Sequence, residues 1–152
     1  MAQTRETGDR LRVLFLCTHN SARSQMAEGL LRYLAGDRFE ASSAGTEATS
    51  VRSEAVAVMD ELGADISKQE SKTLERYVNE PFDFVVTVCD DANEACPFFS
   101  GARNRLHWSL PDPSKAAGDE EERLAVFREV RDDIRGRIEV EILPTEADAL
   151  NC

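Results

Sequence analysis

The chain alternates between short apolar runs and longer stretches in which apolar residues recur every three or four positions. The apolar runs are continuous and do not alternate with polar residues, which is typical of strands buried on both faces of a parallel sheet. We predict strands over residues 13–16, 39–43, 84–88 and 105–110. The strand over 84–88 is the most strongly marked, because it is rich in β-branched residues and bounded by aspartates.

The stretches between these strands have the spacing of amphipathic helices. A first helix is predicted from about Ser24, a second from about Ser53 to Gly63, and one or two helical turns within 73–78. The last helix is the best marked, because Asp119 can cap it and a glutamate follows three residues later. Strands that alternate with helices predict an α/β fold, an open, mostly four-stranded parallel sheet with helices on both faces.

Length and composition favour one domain without a membrane segment. At 152 residues the chain is long enough for one core. We expect a single domain over residues 11–142, a flexible N-terminal extension over 1–10 and a C-terminal tail over 143–152. Because no apolar run approaches about 18 residues, neither a transmembrane helix nor a signal peptide is predicted, and the expected location is the cytoplasm.

The net charge of −11 argues against two classes of partner. Nucleic acids and anionic membranes carry phosphates that this charge would repel at every encounter, so neither is expected to bind. The same charge slightly repels a small oxyanion, so a site for one needs strong local donors.

The four cysteines are too few for a disulfide scaffold in a chain of this length and indicate catalytic or redox use. Cys89 and Cys96 are separated by six residues, which does not fit the usual spacing of a zinc site, and no histidine lies near them. We therefore do not expect this pair to bind zinc. A pair of core cysteines is the alternative for these two positions, and the terminal Cys152 has no partner in the pattern.

A short loop joins the first predicted strand to the first helix and carries both a thiol and a guanidinium. Backbone N–H groups in such a loop point inward as an anion nest, and the helix directs the positive end of its dipole to the same place. Arg23 can add a bidentate pair of hydrogen bonds to an oxyanion. The positive field of the loop and the helix also stabilises the thiolate of Cys17. The candidate oxyanion-binding residues are Thr18, His19, Asn20, Ser21, Ala22, Arg23 and Ser24.

The individual residues of this loop are expected to have different roles. Asn20 tolerates the left-handed backbone conformation that the loop needs, and Ser21 and Ser24 offer hydroxyl groups to the loop and the thiolate. Ordinary loop and helix-cap polarity is the alternative for the two serines. His19 is expected at the surface without a chemical part, and a buried structural cysteine is the alternative for Cys17.

Three reactive side chains are expected at one edge of the sheet, because the carboxyl ends of parallel strands share an edge where open α/β sheets bind ligands. Cys17 ends the first predicted strand, Cys89 ends the third, and Asp112 follows the fourth. If the first and third strands are neighbours, their backbones lie roughly 4.8 Å apart, which brings Cys89 within reach of Cys17. Asp112 lies between two prolines, so a simple turn is the alternative for it.

The loop and the later cysteines resemble a known family. Cys17, five further residues, Arg23 and then Ser24 match the phosphate-binding signature of the low-molecular-weight protein tyrosine phosphatases. With Cys89 and Cys96 downstream, the chain is similar to the thioredoxin-coupled arsenate reductases that are built on the same fold. The resemblance covers nearly the whole chain.

The resemblance implies a complete reaction sequence. Cys17 attacks the arsenic of an arsenate held by the loop, while Asp112 acts as the general acid. Cys89 then attacks Cys17 so that arsenite is released. Cys96 next attacks Cys89, which leaves a Cys89–Cys96 disulfide. An external dithiol protein, thioredoxin or else glutaredoxin, restores the thiols. The resemblance also implies an enzyme without a metal or organic cofactor, and we expect a monomer.

Two other functions stay open. A phosphatase of the same fold is the first, because phosphate and arsenate share their charge and tetrahedral shape, and a weak phosphatase side activity is expected even in a reductase. The cysteine pair argues against a phosphatase alone, since ester hydrolysis does not use it. A non-catalytic sensor or carrier that binds arsenite through three thiols is the second, and Asp112 argues against it because a carrier needs no proton donor.

One position departs from the family pattern. Some thioredoxin-coupled reductases bind a potassium ion beside the loop through residues that match Asn20, Glu28 and Ser43 here, and through an aspartate. Lys72 stands where that aspartate is aligned, and it brings a cation of its own. We predict that Lys72 fills the site, pairs with Glu28 and braces Asn20, so that activity does not depend on potassium. An ordinary solvated surface lysine is the alternative.

Overall fold

A four-stranded sheet forms the centre of the fold in the computed structural model, which describes residues 10–90 and 98–145. Its strands are β1 (Leu11–Cys17), β2 (Phe39–Gly45), β3 (Phe82–Thr87) and β4 (Ala102–His107). They lie in the order β2-β1-β3-β4 and are all parallel, so the first and third strands are neighbours. Cys96, which the sequence singles out, lies outside the described residues.

The described residues contain three α-helices and three shorter helical segments. The α-helices are α1 (Arg23–Ala35), α2 (Ser53–Asp60) and α3 (Glu120–Arg137). Short 3-10 helices span Leu74–Tyr77 and Pro113–Lys115, and a π-helical turn, Ile138–Ile142, continues α3. The predicted cap of α3 is present, because the side chains of Asp119 and Glu122 each accept a hydrogen bond from the other residue's backbone nitrogen. None of the helices in the described ranges is long and apolar enough to cross a membrane.

The two faces of the sheet are covered differently. Side chains of all three α-helices pack with Phe15 and Val86 in the larger core cluster on one face. Leu14 and Val85 belong to a smaller cluster on the other face, against which the 3-10 helix Leu74–Tyr77 packs. Helices therefore cover both faces, as predicted, but within the part of the chain that the structure describes the second face carries only a short one.

The limits of β3 and β4 differ from the predicted ones in ways that change where neighbouring residues lie. β3 ends at Thr87, so Cys89 lies two residues beyond the strand and not at its end. β4 begins at Ala102 and ends at His107, so the predicted range of 105–110 is wrong at both ends. Trp108 follows the strand and is buried in the connection after it. β4 is an edge strand whose side chains alternate between half-buried and exposed, so it lacks the continuous apolar run that marks the inner strands.

Candidate active site

The loop between β1 and α1 lies at the carboxyl edge of the sheet, with Cys17 at the end of the strand and Arg23 at the start of the helix. Asn20 has the left-handed conformation expected of it, with a φ of 50°. Gly45, at the end of β2, lies against this loop: a Cβ there would be 2.6 Å from the Thr18 carbonyl oxygen and 2.9 Å from the Asn20 nitrogen. The loop therefore requires glycine at this position, a constraint that was not predicted from the sequence.

A chain of hydrogen bonds runs from the candidate nucleophile into the interior. Cys17 Sγ lies 2.8 Å from Ser24 Oγ, and Ser24 Oγ accepts a 2.8 Å hydrogen bond from Asn20 Nδ2. The same amide nitrogen donates to Ser43 Oγ at 3.0 Å, and Ser43 Oγ donates to Glu28 Oε1 at 2.5 Å. All five side chains are buried. The structure thus joins Asn20, Glu28 and Ser43, the expected loop support, in one network.

The orientation of the Asn20 amide sets the direction of this network. Its oxygen accepts hydrogen bonds from the backbone nitrogen of Lys72 at 2.8 Å and from Gln25 Nε2 at 2.9 Å. Its nitrogen therefore supplies both hydrogens to the two serines. Because Ser24 Oγ accepts from Asn20, its own hydrogen is available to the sulfur of Cys17, where it stabilises a thiolate. Gln25 is a further supporting residue, which was not predicted from the sequence.

Lys72 lies in the interior beside the Glu28 carboxylate. Its Nζ is 3.6 Å from Glu28 Oε1 and donates to the Glu70 carbonyl oxygen at 2.7 Å. The side chains of Lys72 and Glu28 are each only 7% exposed. Arg32 Nη2 lies 2.6 Å from the other oxygen, Glu28 Oε2. The carboxylate therefore has a cation near each oxygen, and Lys72 is not a solvated surface lysine.

Arg23 and Asp112 approach each other at the loop. Arg23 Nη1 donates to the Leu110 carbonyl oxygen at 3.1 Å, and Arg23 Nη2 lies 3.7 Å from Asp112 Oδ2. Their side chains are only 3% and 9% exposed. Asp112 also caps the following 3-10 helix, because its Oδ1 accepts a hydrogen bond from the backbone of Ser114. The structure thus brings the expected general acid next to the expected oxyanion-binding arginine.

Trp108 anchors the connection that carries Asp112. Its ring is buried against Phe15, with 6.1 Å between the ring centroids, and its Nε1 donates to Glu141 Oε1 at 3.1 Å. Glu141 lies in the π-helical turn after α3, so this turn supports the connection that carries Asp112. Glu141 was not predicted as a supporting residue, because nothing in a helical pattern indicates so distant a partner.

Cys89 lies at the same edge of the sheet as Cys17. Its Sγ is 4.0 Å from the carbonyl oxygen of Leu16, the residue before Cys17, and its own carbonyl oxygen accepts a hydrogen bond from Leu110. Both thiols are buried, and neither is in a disulfide. The structure therefore brings two of the three expected redox cysteines to one edge, while Cys96 falls outside the described residues.

His19 lies on the outer side of the loop. Its side chain is 44% exposed, and its Nε2 is 3.5 Å from Glu47 Oε2. Its backbone carbonyl accepts hydrogen bonds from the hydroxyl groups of Thr49 and Ser71, so this residue contributes to the loop through its backbone. Over residues 10–90 and 98–145, no group of three His, Cys, Asp or Glu side chains is arranged to hold a metal ion.

Comparisons with known proteins find close relatives of this chain. Residues 12–143 match the sequence profile of the low molecular weight phosphotyrosine protein phosphatases. An arsenate reductase from Halalkalibacterium halodurans is 48% identical over 126 residues, which are 83% of this chain and 91% of that protein. A solved arsenate reductase in its phosphate binding state has a TM-score of 0.77 at 33% identity and covers 90% of this chain and 99% of its own. A thioredoxin-dependent arsenate reductase from Corynebacterium glutamicum has a TM-score of 0.66 at 28% identity, over 92% of this chain and 66% of that one.

Proposed function

The chain belongs to the low-molecular-weight phosphotyrosine protein phosphatase family, and we propose that within this family it reduces arsenate to arsenite. The observation that carries the proposal is the buried thiol of Cys89 beside the strand that ends in Cys17. Hydrolysis of a phosphoester uses one thiol, whereas the reduction of arsenate needs a second thiol to form a disulfide with the first. The similarity to arsenate reductases supports the same choice.

The loop and Asp112 supply the first step. Arsenate binds to the backbone N–H groups of the loop and to the Arg23 guanidinium, as the oxyanion-binding geometry favours. Cys17 Sγ attacks the arsenic as a thiolate, which the hydroxyl group of Ser24 stabilises. An arsenic–oxygen bond breaks, Asp112 protonates the departing oxygen, and water leaves. A covalent adduct of Cys17 and arsenic(V) remains.

Cys89 carries out the reduction. Its sulfur attacks Cys17 Sγ, which forms a Cys17–Cys89 disulfide and breaks the sulfur–arsenic bond. Both electrons of that bond stay on arsenic, which becomes arsenic(III) and leaves as arsenite, while two thiols are oxidised to one disulfide. Cys96 next attacks Cys89, so the Cys17 thiolate is restored and a Cys89–Cys96 disulfide remains.

That disulfide needs two electrons from an external dithiol protein. The proposed reductant is thioredoxin, because the similar Corynebacterium glutamicum protein is a thioredoxin-dependent arsenate reductase. Glutaredoxin is the second choice. The cycle requires a reducing compartment, which makes the cytoplasm its proposed location. The proposed catalytic domain spans residues 11–142 and acts as a monomer. Thiols carry every electron in this scheme, so it uses no metal and no organic cofactor.

Arsenate-dependent oxidation of NADPH tests the proposal. The protein is assayed with thioredoxin and thioredoxin reductase, and in parallel with glutaredoxin, glutathione and glutathione reductase. We expect turnover in the thioredoxin assay and none for Cys17→Ser, a nearly isosteric change that leaves the fold intact. Arsenate reduction by Cys17→Ser at a near wild-type rate contradicts the proposal, as does the absence of arsenate-dependent turnover with both reductants.

A phosphatase is the second candidate function, because the loop, Arg23 and Asp112 also suit the hydrolysis of a phosphomonoester. The proposal includes this reaction as a slow side activity. Cys89→Ser separates the two functions: it should stop arsenite production and leave the hydrolysis of p-nitrophenyl phosphate unchanged. A carrier that only binds arsenite would not turn over in either assay, and Asp112 would have no use in it.

A further inference from the structure

Ser114 makes the two oxygens of the Asp112 carboxyl group unequal. Oδ1 accepts two hydrogen bonds from Ser114, one from its backbone nitrogen at 3.0 Å and one from its hydroxyl group at 2.5 Å. Oδ2 is the oxygen that lies 3.7 Å from Arg23 Nη2 and therefore faces the oxyanion loop. One oxygen is held by the turn, and the other is directed to the place where the substrate binds.

This asymmetry determines which oxygen can carry a hydrogen. A protonated carboxyl group donates from one oxygen only, and each oxygen has two lone pairs to offer. In Asp112 both lone pairs of Oδ1 are occupied by the two donors of Ser114. A hydrogen on Oδ1 would displace one of these donors, which is costly because the Asp112 side chain is only 9% exposed. The hydrogen is therefore favoured on Oδ2.

We propose that Ser114 is a positioning residue for proton transfer, because its hydroxyl group places the transferable hydrogen of Asp112 on Oδ2. This inference rests on the proposed function, in which Asp112 is the general acid. As the bond from Cys17 Sγ to arsenic forms, the bond from arsenic to the leaving oxygen breaks with both electrons on that oxygen, which takes the proton from Oδ2. Asp112 is left as a carboxylate, whose negative charge the two donors of Ser114 stabilise.

The hydroxyl group of Ser114 is not needed to form the turn. The backbone hydrogen bond from Ser114 to Asp112 Oδ1 already caps the 3-10 helix, and alanine would keep that bond. Ser114→Ala therefore removes one donor, whereas Ser114→Thr keeps it and is the matched control. A structural role would affect the rate whether or not residue 112 can donate a proton. A positioning role affects the rate only while it can.

A double-mutant cycle tests the inference through arsenite release in a single turnover, at saturating arsenate and without reductant. We expect Ser114→Ala to slow the release about tenfold, the effect of one hydrogen bond to a charged group. The arsenate concentration for half-saturation should not change, and Ser114→Thr should restore the rate. Asp112→Asn slows the reaction further, and in that background Ser114→Ala should change the rate by less than about twofold.

Two results would overturn the inference: a Ser114→Ala protein as fast as the wild type, or an equal loss in both backgrounds. A failure of the proposed function has a different signature. A wild-type protein that releases no arsenite overturns both, and an Asp112→Asn protein as fast as the wild type shows that Asp112 is not the acid, whatever Ser114 does.

Discussion

Lys72 Nζ lies 3.6 Å from Glu28 Oε1 in the interior behind the oxyanion loop. Through Ser43, Glu28 joins the hydrogen-bonded network that ends at Cys17. The backbone nitrogen of Lys72 also donates to Asn20 Oδ1, so the same residue supports the loop in two ways. A cation that is part of the chain cannot dissociate, as a bound ion can, and its contribution to the loop is therefore permanent.

Activity should consequently not depend on potassium. We expect equal reduction rates and melting temperatures for the wild type in sodium and potassium salts of equal ionic strength. Lys72→Asp places a second carboxylate beside Glu28, so this variant should lose activity in sodium salts and recover part of it in potassium salts. Clear activation of the wild type by potassium would show that Lys72 does not replace the ion.

Gly45→Ala should damage the loop and leave the sheet folded. The added methyl group would lie 2.6 Å from the Thr18 carbonyl oxygen and 3.0 Å from the Cys17 carbonyl oxygen, so the loop has to move. We expect the single-turnover rate to fall by about 10²-fold, the effect of a misplaced catalytic group. Calorimetric phosphate binding should weaken as well.

Gly136→Ala is the matched control for Gly45→Ala. Nothing lies within 4 Å of a Cβ at this exposed position of α3. It should keep full activity and raise the free energy of unfolding by about 0.5–1 kcal/mol, since alanine favours the helix. Wild-type phosphate affinity in Gly45→Ala would show that the loop tolerates a side chain there.

Asp112→Asn should slow the first chemical step and spare binding. Asparagine keeps the shape of the side chain but has no acidic proton, so the rate should fall by roughly 10²–10⁴-fold. Loss of a carboxylate 3.7 Å from Arg23 Nη2 leaves the guanidinium more available to the oxyanion, so phosphate affinity should hold or improve. Rapid quenching measures the first effect and calorimetry the second. Weaker binding at an unchanged rate would make Asp112 a turn residue only.

Glu61 should stabilise the contact of α2 with α3 in a pH-dependent way. Hydrogen bonds from Arg128 and Arg131 lower the pKa of Glu61 below its ordinary value. A carboxylate with a lowered pKa stabilises the folded state above its unfolded pKa of about 4.3, and this contribution disappears as the pH falls through the folded value. Glu61→Gln should therefore melt at a lower temperature than the wild type at neutral pH, with the difference shrinking in acid. A difference that is independent of pH would refute this.

Local chemistry could be predicted from the sequence, and distant contacts could not. The loop of residues 17–24 is recognisable because its thiol, its guanidinium and its hydroxyl groups lie within eight positions. Asn20 and Lys72 are 52 positions apart, and only the family resemblance indicated that they meet. Gly45 and Glu141 were missed for the same reason, since their contacts with the site depend on how the strands and the last helix pack.

The limits of the strands and helices could likewise be predicted only where the local sequence determines them. Strand β1 was predicted well because burial on both faces makes its apolar run continuous. Strand β4 was misplaced because an edge strand alternates between half-buried and exposed residues. The π-helical turn Ile138–Ile142 was missed, since its apolar residues continue the stripe of α3 and the sequence pattern does not distinguish the two kinds of helix.

Mass spectrometry of Cys96→Ser, after a single pulse of arsenate without reductant, tests whether reduction forms a disulfide between Cys17 and Cys89. This variant keeps both thiols of the first two steps and loses only the resolving one. We predict about one equivalent of arsenite per protein and a Cys17–Cys89 disulfide. Cys89→Ser, treated in the same way, should release no arsenite. Arsenite release by Cys89→Ser, or a Cys96→Ser protein that reduces arsenate without forming that disulfide, would contradict this step.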